Sequence, residues 1–248
     1  MTHSSINKHL IVNGCSFTNG NFGTGSNTWA NVVRDYFEDT DILYKNIGWK
    51  GSSNDLIIPQ TLEHISQIDK NDKVVVIIQL TALDRVVVNG RKSPTIGSVL
   101  KSLNWMKWGM SQNTSNGISK LLDFQIRMLS FKNVDYKIFC GWDILTQDSN
   151  KSDMWDLKVP YENKSDKLIS ELYPSIHEKF NQLNLNKFWF FENDKIHYGG
   201  LSQWVQYNVH VKDWYRDIYS KPIDYHPSDN AHKLFAKKVM IPIIKKML

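Results

Sequence analysis

Four short stretches place reactive or hydrogen-bonding side chains directly behind runs of β-branched and aromatic residues. They are Gly14-Cys15-Ser16-Phe17-Thr18, Gly48-Trp49-Lys50-Gly51-Ser52-Ser53-Asn54, Gln79-Leu80-Thr81-Ala82-Leu83-Asp84-Arg85, and Asp224-Tyr225-His226-Pro227-Ser228. Together they hold the parts of an acyl-transfer site. A serine in a tight strand-to-helix turn exposes its hydroxyl, a histidine takes its proton, and an aspartate beside the histidine fixes the ring's tautomer and orientation. Backbone N–H groups at glycine turns hold the oxyanion that develops on the attacked carbonyl. Pro227 pushes His226 toward an extended backbone, where residues two apart point the same way, so Asp224 is expected beside His226. This chemistry needs no metal and no cofactor. His226, Asp229 and His232 share one short loop and helix start with no partner from another strand, so no metal site is expected there.

Each of these residues also has a plainer duty. Ser16 after a glycine turn can cap a helix, and Gly48 and Gly51 can supply positive φ to a turn with or without an oxyanion. Arg85 can pair with a surface carboxylate or bind substrate. Cys15 and Cys140, the two cysteines of the chain, end apolar runs and read as buried thiols in a reducing compartment rather than a disulfide.

For the four stretches to converge, each must lie at the same end of one sheet. In an open parallel sheet, ligands bind beyond the carboxyl ends of the strands. The pattern fits such a sheet: short apolar runs alternate with longer segments of helical period. Strands are expected at His9–Asn13, Tyr44–Gly48, Val74–Leu80, Tyr136–Trp142 and Lys187–Phe191, with Val74–Leu80 central because it is apolar on both faces. Helices are expected over Asn27–Glu38, over Ser53–Ile68 where Pro59 could shorten it, near Gly117–Phe131, and from Ser228 toward Lys246 with a kink at Pro242. The expected architecture is a three-layer α/β/α sandwich with about five mainly parallel strands. It forms one domain over residues 1–248, with an insertion at about 86–110 that carries Trp105 and Trp108. Two tryptophans in such a segment either pack on the domain or cover a ligand.

Composition narrows the function classes. At 248 residues, 41% hydrophobic and 22% charged, the chain has enough apolar side chain for one core and too little charge for disorder. The net charge of +5 is scattered with no basic arm, so neither nucleic acid nor a membrane is an expected partner. Met1-Thr-His-Ser-Ser-Ile-Asn-Lys-His9 lacks the apolar run of a signal peptide, and a cytoplasmic location is expected, with a virion component as the alternative.

The ordered set of blocks resembles the SGNH hydrolases of the GDSL family, and spans residues 14 to 232. Gly14-Cys15-Ser16 stands for the family's Gly-Asp-Ser block, which implies Ser16 as nucleophile and first oxyanion amide. Gly51 matches the second-block glycine, and Asp224 with His226 matches the fifth block, ahead of a helix containing His232. Cys15 replaces the family's aspartate, the spacing from acid to histidine is one residue shorter, and Thr81 stands where the oxyanion asparagine would be. The resemblance implies an esterase or carbohydrate O-deacetylase with Ser16, His226 and Asp224 as triad. The oxyanion would be held by the amides of Ser16 and Gly51 and by Thr81, or by Asn54 in its place. An O-acyltransferase on the same residues and a non-catalytic glycan-binding protein are the alternatives. The expected partner is a small-molecule or carbohydrate ester.

Overall fold

Val74–Leu80, the most apolar run in the chain, forms the centre of the sheet. In the computed structural model, which describes residues 6–19, 27–81, 103–141, 174–194, 196–217 and 224–248, this strand is β3 (Lys73–Leu80). On one side it pairs with β1 (Lys8–Asn13), which in turn pairs with β2 (Ile42–Asn46). On the other it pairs with β4 (Val134–Cys140), and β4 with the short edge strand β5 (Phe188–Trp189). Every pairing is parallel and the order is β2-β1-β3-β4-β5. Such a sheet reverses its winding between β1 and β3, and a crevice opens there at the carboxyl ends of the strands.

Alternation along β3 decides what each face meets. Val74, Val76, Ile78 and Leu80 pack with Ile57 and Ile65 of α3 (Asn54–Ser66) and with Ile118, Leu121 and Phe124 of α4 (Leu103–Met128). Val75 and Ile77 face the other way, onto Trp29 and Val33 of α2 (Trp29–Phe37) and Phe235 of α7 (Asp229–Phe235). A strand buried on both faces must be apolar throughout, which is the pattern the sequence carries. The three-layer α/β/α sandwich is therefore as expected.

Some elements differ from the expectation. The helix expected from Gly117 begins at Leu103 and takes in Trp105 and Trp108. Its two glycines, Gly109 and Gly117, cost a helix about 1 kcal/mol each, and without a proline they do not break it. The side chains of Trp105 and Trp108, and all of Arg85, lie outside the described residues. Lys187–Phe191 is not one strand: β5 stops at Trp189, and β6 (Phe191–Asn193) pairs antiparallel with β7 (Ile196–Gly199). Pro59 sits inside α3 without ending it. The kink expected at Pro242 takes the form of a π-helical segment, Ala236–Met240, between α7 and α8 (Ile241–Met247). There the Ile241 N–H bonds Ala236 O, one residue further back than in an α-helix. The wider turn makes room for the proline ring. No described helix is long and apolar enough to cross a membrane.

At the amino ends of the strands, Asp72 ties β3 to β1. Its carboxylate accepts from the Asn7 backbone N–H at 2.9 Å and lies 3.1 Å from His9 Nε2. The Asn7 backbone bond, followed by the His9 contact, holds the Asp72 carboxyl below its ordinary value. A carboxyl lowered in the folded state stabilises the protein above the unfolded value of about 3.9, and that contribution is lost as pH falls through the folded value. Asp72→Asn is therefore expected to melt below wild type at pH 7, with the gap closing under about pH 4. A gap in melting temperature that is the same at both pH values would assign Asp72 no such role.

Candidate active site

Beyond β1 the chain turns sharply. Asn13 Oδ1 accepts the Gly14 N–H at 2.8 Å, and Asn13 Nδ2 donates to Ile57 O and Thr61 Oγ1 of α3, each at 2.9 Å. The N–H groups of Thr18 and Asn19 both bond Cys15 O at 3.0 Å, closing the single turn α1 (Ser16–Asn19). Gly14 must lack a side chain, because a Cβ there would stand 2.8 Å from Gln79 Oε1. Ser16 thus starts a helical turn at the carboxyl end of β1, 7% exposed, at the end of the sheet where open parallel sheets bind their ligands.

His226 reaches the same place from the far end of the sequence. It lies on β9 (Asp224–Pro227), which pairs antiparallel with β8 (Tyr215–Asp217) in a small ribbon, Pro227 opposite Tyr215. Ser228 then caps α7 by accepting the Ala231 N–H at 3.1 Å, while its own N–H bonds Trp214 O at 3.1 Å and its hydroxyl donates to Asp213 O. Ribbon and cap fix the backbone on both sides of the histidine, and the Phe17 ring packs edge-on against the imidazole at 5.3 Å. The outcome is a contact of 2.9 Å between His226 Nε2 and Ser16 Oγ, across 210 residues of chain. Asp224 lies in the same strand, two residues before, and its side chain is outside the described residues. His232 is fully buried in α7, on the other contact of the Phe17 ring at 6.3 Å.

The loop after β2 is bolted to this turn. Trp49 N–H bonds Gly14 O at 3.0 Å, Asn46 Nδ2 donates to Thr18 O at 3.0 Å, and Asn19 Nδ2 donates to Gly48 O at 2.6 Å. Gly51 adopts φ 71°, a left-handed conformation that favours glycine. Asn54, at the start of α3, clamps the end of β3: its Nδ2 donates to Thr81 O at 2.9 Å and its Oδ1 accepts the Thr81 N–H at 3.0 Å. Thr81 is fully buried, and its Oγ1, like the hydroxyls of Ser52 and Ser53, has no hydrogen-bond partner among the described residues.

No family model and no curated protein matches the chain. Solved structures do. The protein YXIM of Bacillus subtilis superposes with a TM-score of 0.51 at 12% identity, over 97% of this chain and 57% of that one, so the chain spans little more than half the length of that relative. A catalytic mutant of an acetylxylan esterase from Geobacillus stearothermophilus gives 0.51 at 12% identity over 98% and 95% of the two chains. The chain has the SGNH-hydrolase fold. A member of the lipolytic G-D-S-L family from Veillonella parvula superposes more loosely, with a TM-score of 0.42 at 13% identity over 96% and 99% of the chains.

In this SGNH fold, Ser16 and His226 come together, and the Gly51 loop is bonded to the turn that carries Ser16. Sequence reasoning attached no role to Gln79, Asn13 or Asn46, which hold the turn and the loop in place. A signal was present for Gln79: a carboxamide inside a strand apolar on both faces must have internal partners.

Proposed function

We propose that this chain is a serine esterase that removes an O-acyl group, an acetyl ester in particular, from a carbohydrate or small alcohol. The observation that carries the reading is the 2.9 Å approach of His226 Nε2 to Ser16 Oγ. A histidine brought so far along the chain to a serine in a strand-end turn has the geometry of a general base beside its nucleophile. The superposition on an acetylxylan esterase supports the same chemistry and the same class of substrate.

In the proposed mechanism His226 Nε2 takes the Ser16 hydroxyl proton as Oγ bonds the ester carbonyl carbon. The carbonyl π electrons move to oxygen, where the N–H groups of Ser16 and Gly51 stabilise the charge, with Thr81 as a further donor. Collapse re-forms the carbonyl and breaks the bond to the alcohol, which leaves with the proton from His226. Water, deprotonated by the same ring, then attacks the acyl-serine, and the acid departs as Ser16 regains its proton. Asp224 is proposed as the acid of the triad; in such a triad a carboxylate keeps the proton on Nδ1 of the histidine and leaves Nε2 able to accept. If an acceptor hydroxyl replaced water, the same residues would transfer the acyl group.

A fluorophosphonate probe tests the assignment, since it bonds only a serine with an activated hydroxyl. Wild type is expected to be labelled at Ser16, and absence of label would leave the crevice as a binding site alone. The Thr81 assignment has its own test. Its hydroxyl is fully buried, so it acts as an oxyanion donor only if substrate binding brings the carbonyl oxygen within its reach. Thr81→Val should then lower kcat about 10²-fold with KM little changed. Unchanged steady-state kinetics would assign the oxyanion to the two backbone amides.

A further inference from the structure

The nucleophile turn hangs on one buried side chain outside it. Gln79 is fully buried near the end of β3 and points to the α2 and α7 side of the sheet, as Val75 and Ile77 do. Its Oε1 gathers three donors from the neighbouring turn: the Cys15 N–H at 3.2 Å, the Cys15 thiol at 3.3 Å and the Thr18 hydroxyl at 3.2 Å. Its Nε2 donates to Leu80 O at 2.6 Å, which fixes the carboxamide's orientation and aims the oxygen at the turn. Two glycines make the seat. A Cβ on Gly14 would come within 2.8 Å of Gln79 Oε1, and one on Gly141 within 2.8 Å of Nε2. Thr18 is pinned in turn by Trp29 Nε1, at 3.3 Å from its hydroxyl.

We infer that Gln79 is the positioning residue of the nucleophile, holding Ser16 in line with His226 by gripping the residues on either side of it. Cys15 precedes Ser16 and Thr18 lies two residues after it, so the three bonds bracket the serine from one fixed point in the central strand. Each bond alone is long, but all share one acceptor that cannot turn without also breaking its bond to Leu80 O. His226 arrives from an independent ribbon, so a drift of the turn by a fraction of an ångström changes the Ser16–His226 distance directly. This grip explains how Cys15 serves where the resemblance leads one to expect an aspartate: its thiol donates to Gln79 Oε1 at 3.3 Å, while its sulfur lies 3.8 Å from Ser16 Oγ.

The inference rests on the esterase reading for its kinetic consequence but not for its structural one, and the test uses both. Gln79→Met keeps the length and removes both polar ends; Gln79→Glu, neutral while buried at mildly acidic pH, keeps an acceptor and a donor. The rates compared are labelling of Ser16 by a fluorophosphonate, deuterium exchange at the Cys15 amide, and turnover of a small activated ester. In Gln79→Met, labelling and kcat should fall about 10²-fold with KM nearly unchanged, and Cys15 should exchange faster. Gln79→Glu should recover most of the rate at low pH and lose it, relative to wild type, as the carboxyl ionises and can no longer donate to Leu80 O. Wild-type labelling and wild-type Cys15 exchange in a folded Gln79→Met protein would overturn the inference. Should Gln79→Met fail to fold, a Gln79→Glu pH profile and Cys15 exchange identical to wild type would overturn it equally. If wild type itself resists the probe, the esterase reading fails, and the exchange comparison alone decides whether Gln79 holds the turn.

Discussion

Ser16→Ala is expected to lower turnover of a small activated ester by about 10⁵-fold or more while leaving the chain folded. Without Oγ there is no covalent route, and what remains is the modest acceleration that oxyanion donors and binding give to attack by water. The structural cost is small by comparison. Ser16 Oγ touches the His226 ring at 2.9 Å and has one longer contact, 3.8 Å to the Cys15 sulfur, so alanine removes one good hydrogen bond at the edge of a crevice. Such a loss costs roughly 1 kcal/mol. The turn around it stays bonded through Cys15 O and Gln79 Oε1, neither of which depends on the hydroxyl. Initial rates and a thermal melt on the same preparation separate the two effects. A folded Ser16→Ala protein that keeps near-normal rates would exclude the serine mechanism, and a binding protein would show neither a rate to lose nor a label.

What could be read in the sequence was what period and burial dictate. Val74–Leu80 announced a central strand because an element covered on both faces must be apolar at every position, while His9–Asn13 and Tyr136–Trp142 stand out as β-branched or aromatic runs and meet strands at Lys8–Asn13 and Val134–Cys140. With the parallel sheet came its crevice, and hence the places where Ser16 and His226 had to lie. Local chemistry placed the histidine: Pro227 extends the chain and Ser228 caps the helix that follows. The ribbon β8–β9 that holds His226 had no such signal, since strands of three and four residues are too short for alternation to stand out. Asn54 is the oxyanion donor expected if Thr81 does not fill that place. Its carboxamide meets the Thr81 backbone because α3 starts beside the end of β3, a contact between segments far apart in the chain that no local pattern contains. Gln79 was hidden for the same reason. Its burial followed from the strand, but its partners belong to a turn more than sixty residues earlier.

The two histidines near the carboxyl terminus should behave in opposite ways. His226 is half-buried, held on the ribbon with Nε2 at 2.9 Å from Ser16 Oγ, and its ring is positioned by the edge of Phe17. His232 is wholly buried inside α7, with its backbone N–H bonded to Ser228 O at 2.9 Å and its ring against Phe17 from another side. Phe17 thus contacts both a half-buried histidine bonded to the nucleophile and a fully buried one. Removing the first takes away the group that accepts the serine proton. Removing the second leaves a cavity under Phe17 and under the helix whose cap steadies β9. His226→Ala is therefore expected to lower kcat about as far as Ser16→Ala with little change in melting temperature, and the double variant should be hardly worse than either, because nucleophile and base act as a unit. His232→Ala should instead cost about 1–3 kcal/mol of stability and retain much of its kcat once folded at low temperature. Rates and melting curves for the four proteins decide the matter. Near-normal turnover in His226→Ala together with an inactive but fully stable His232→Ala would reverse the two roles, and Asp224, assigned through its place beside His226, would leave the proposed triad with it.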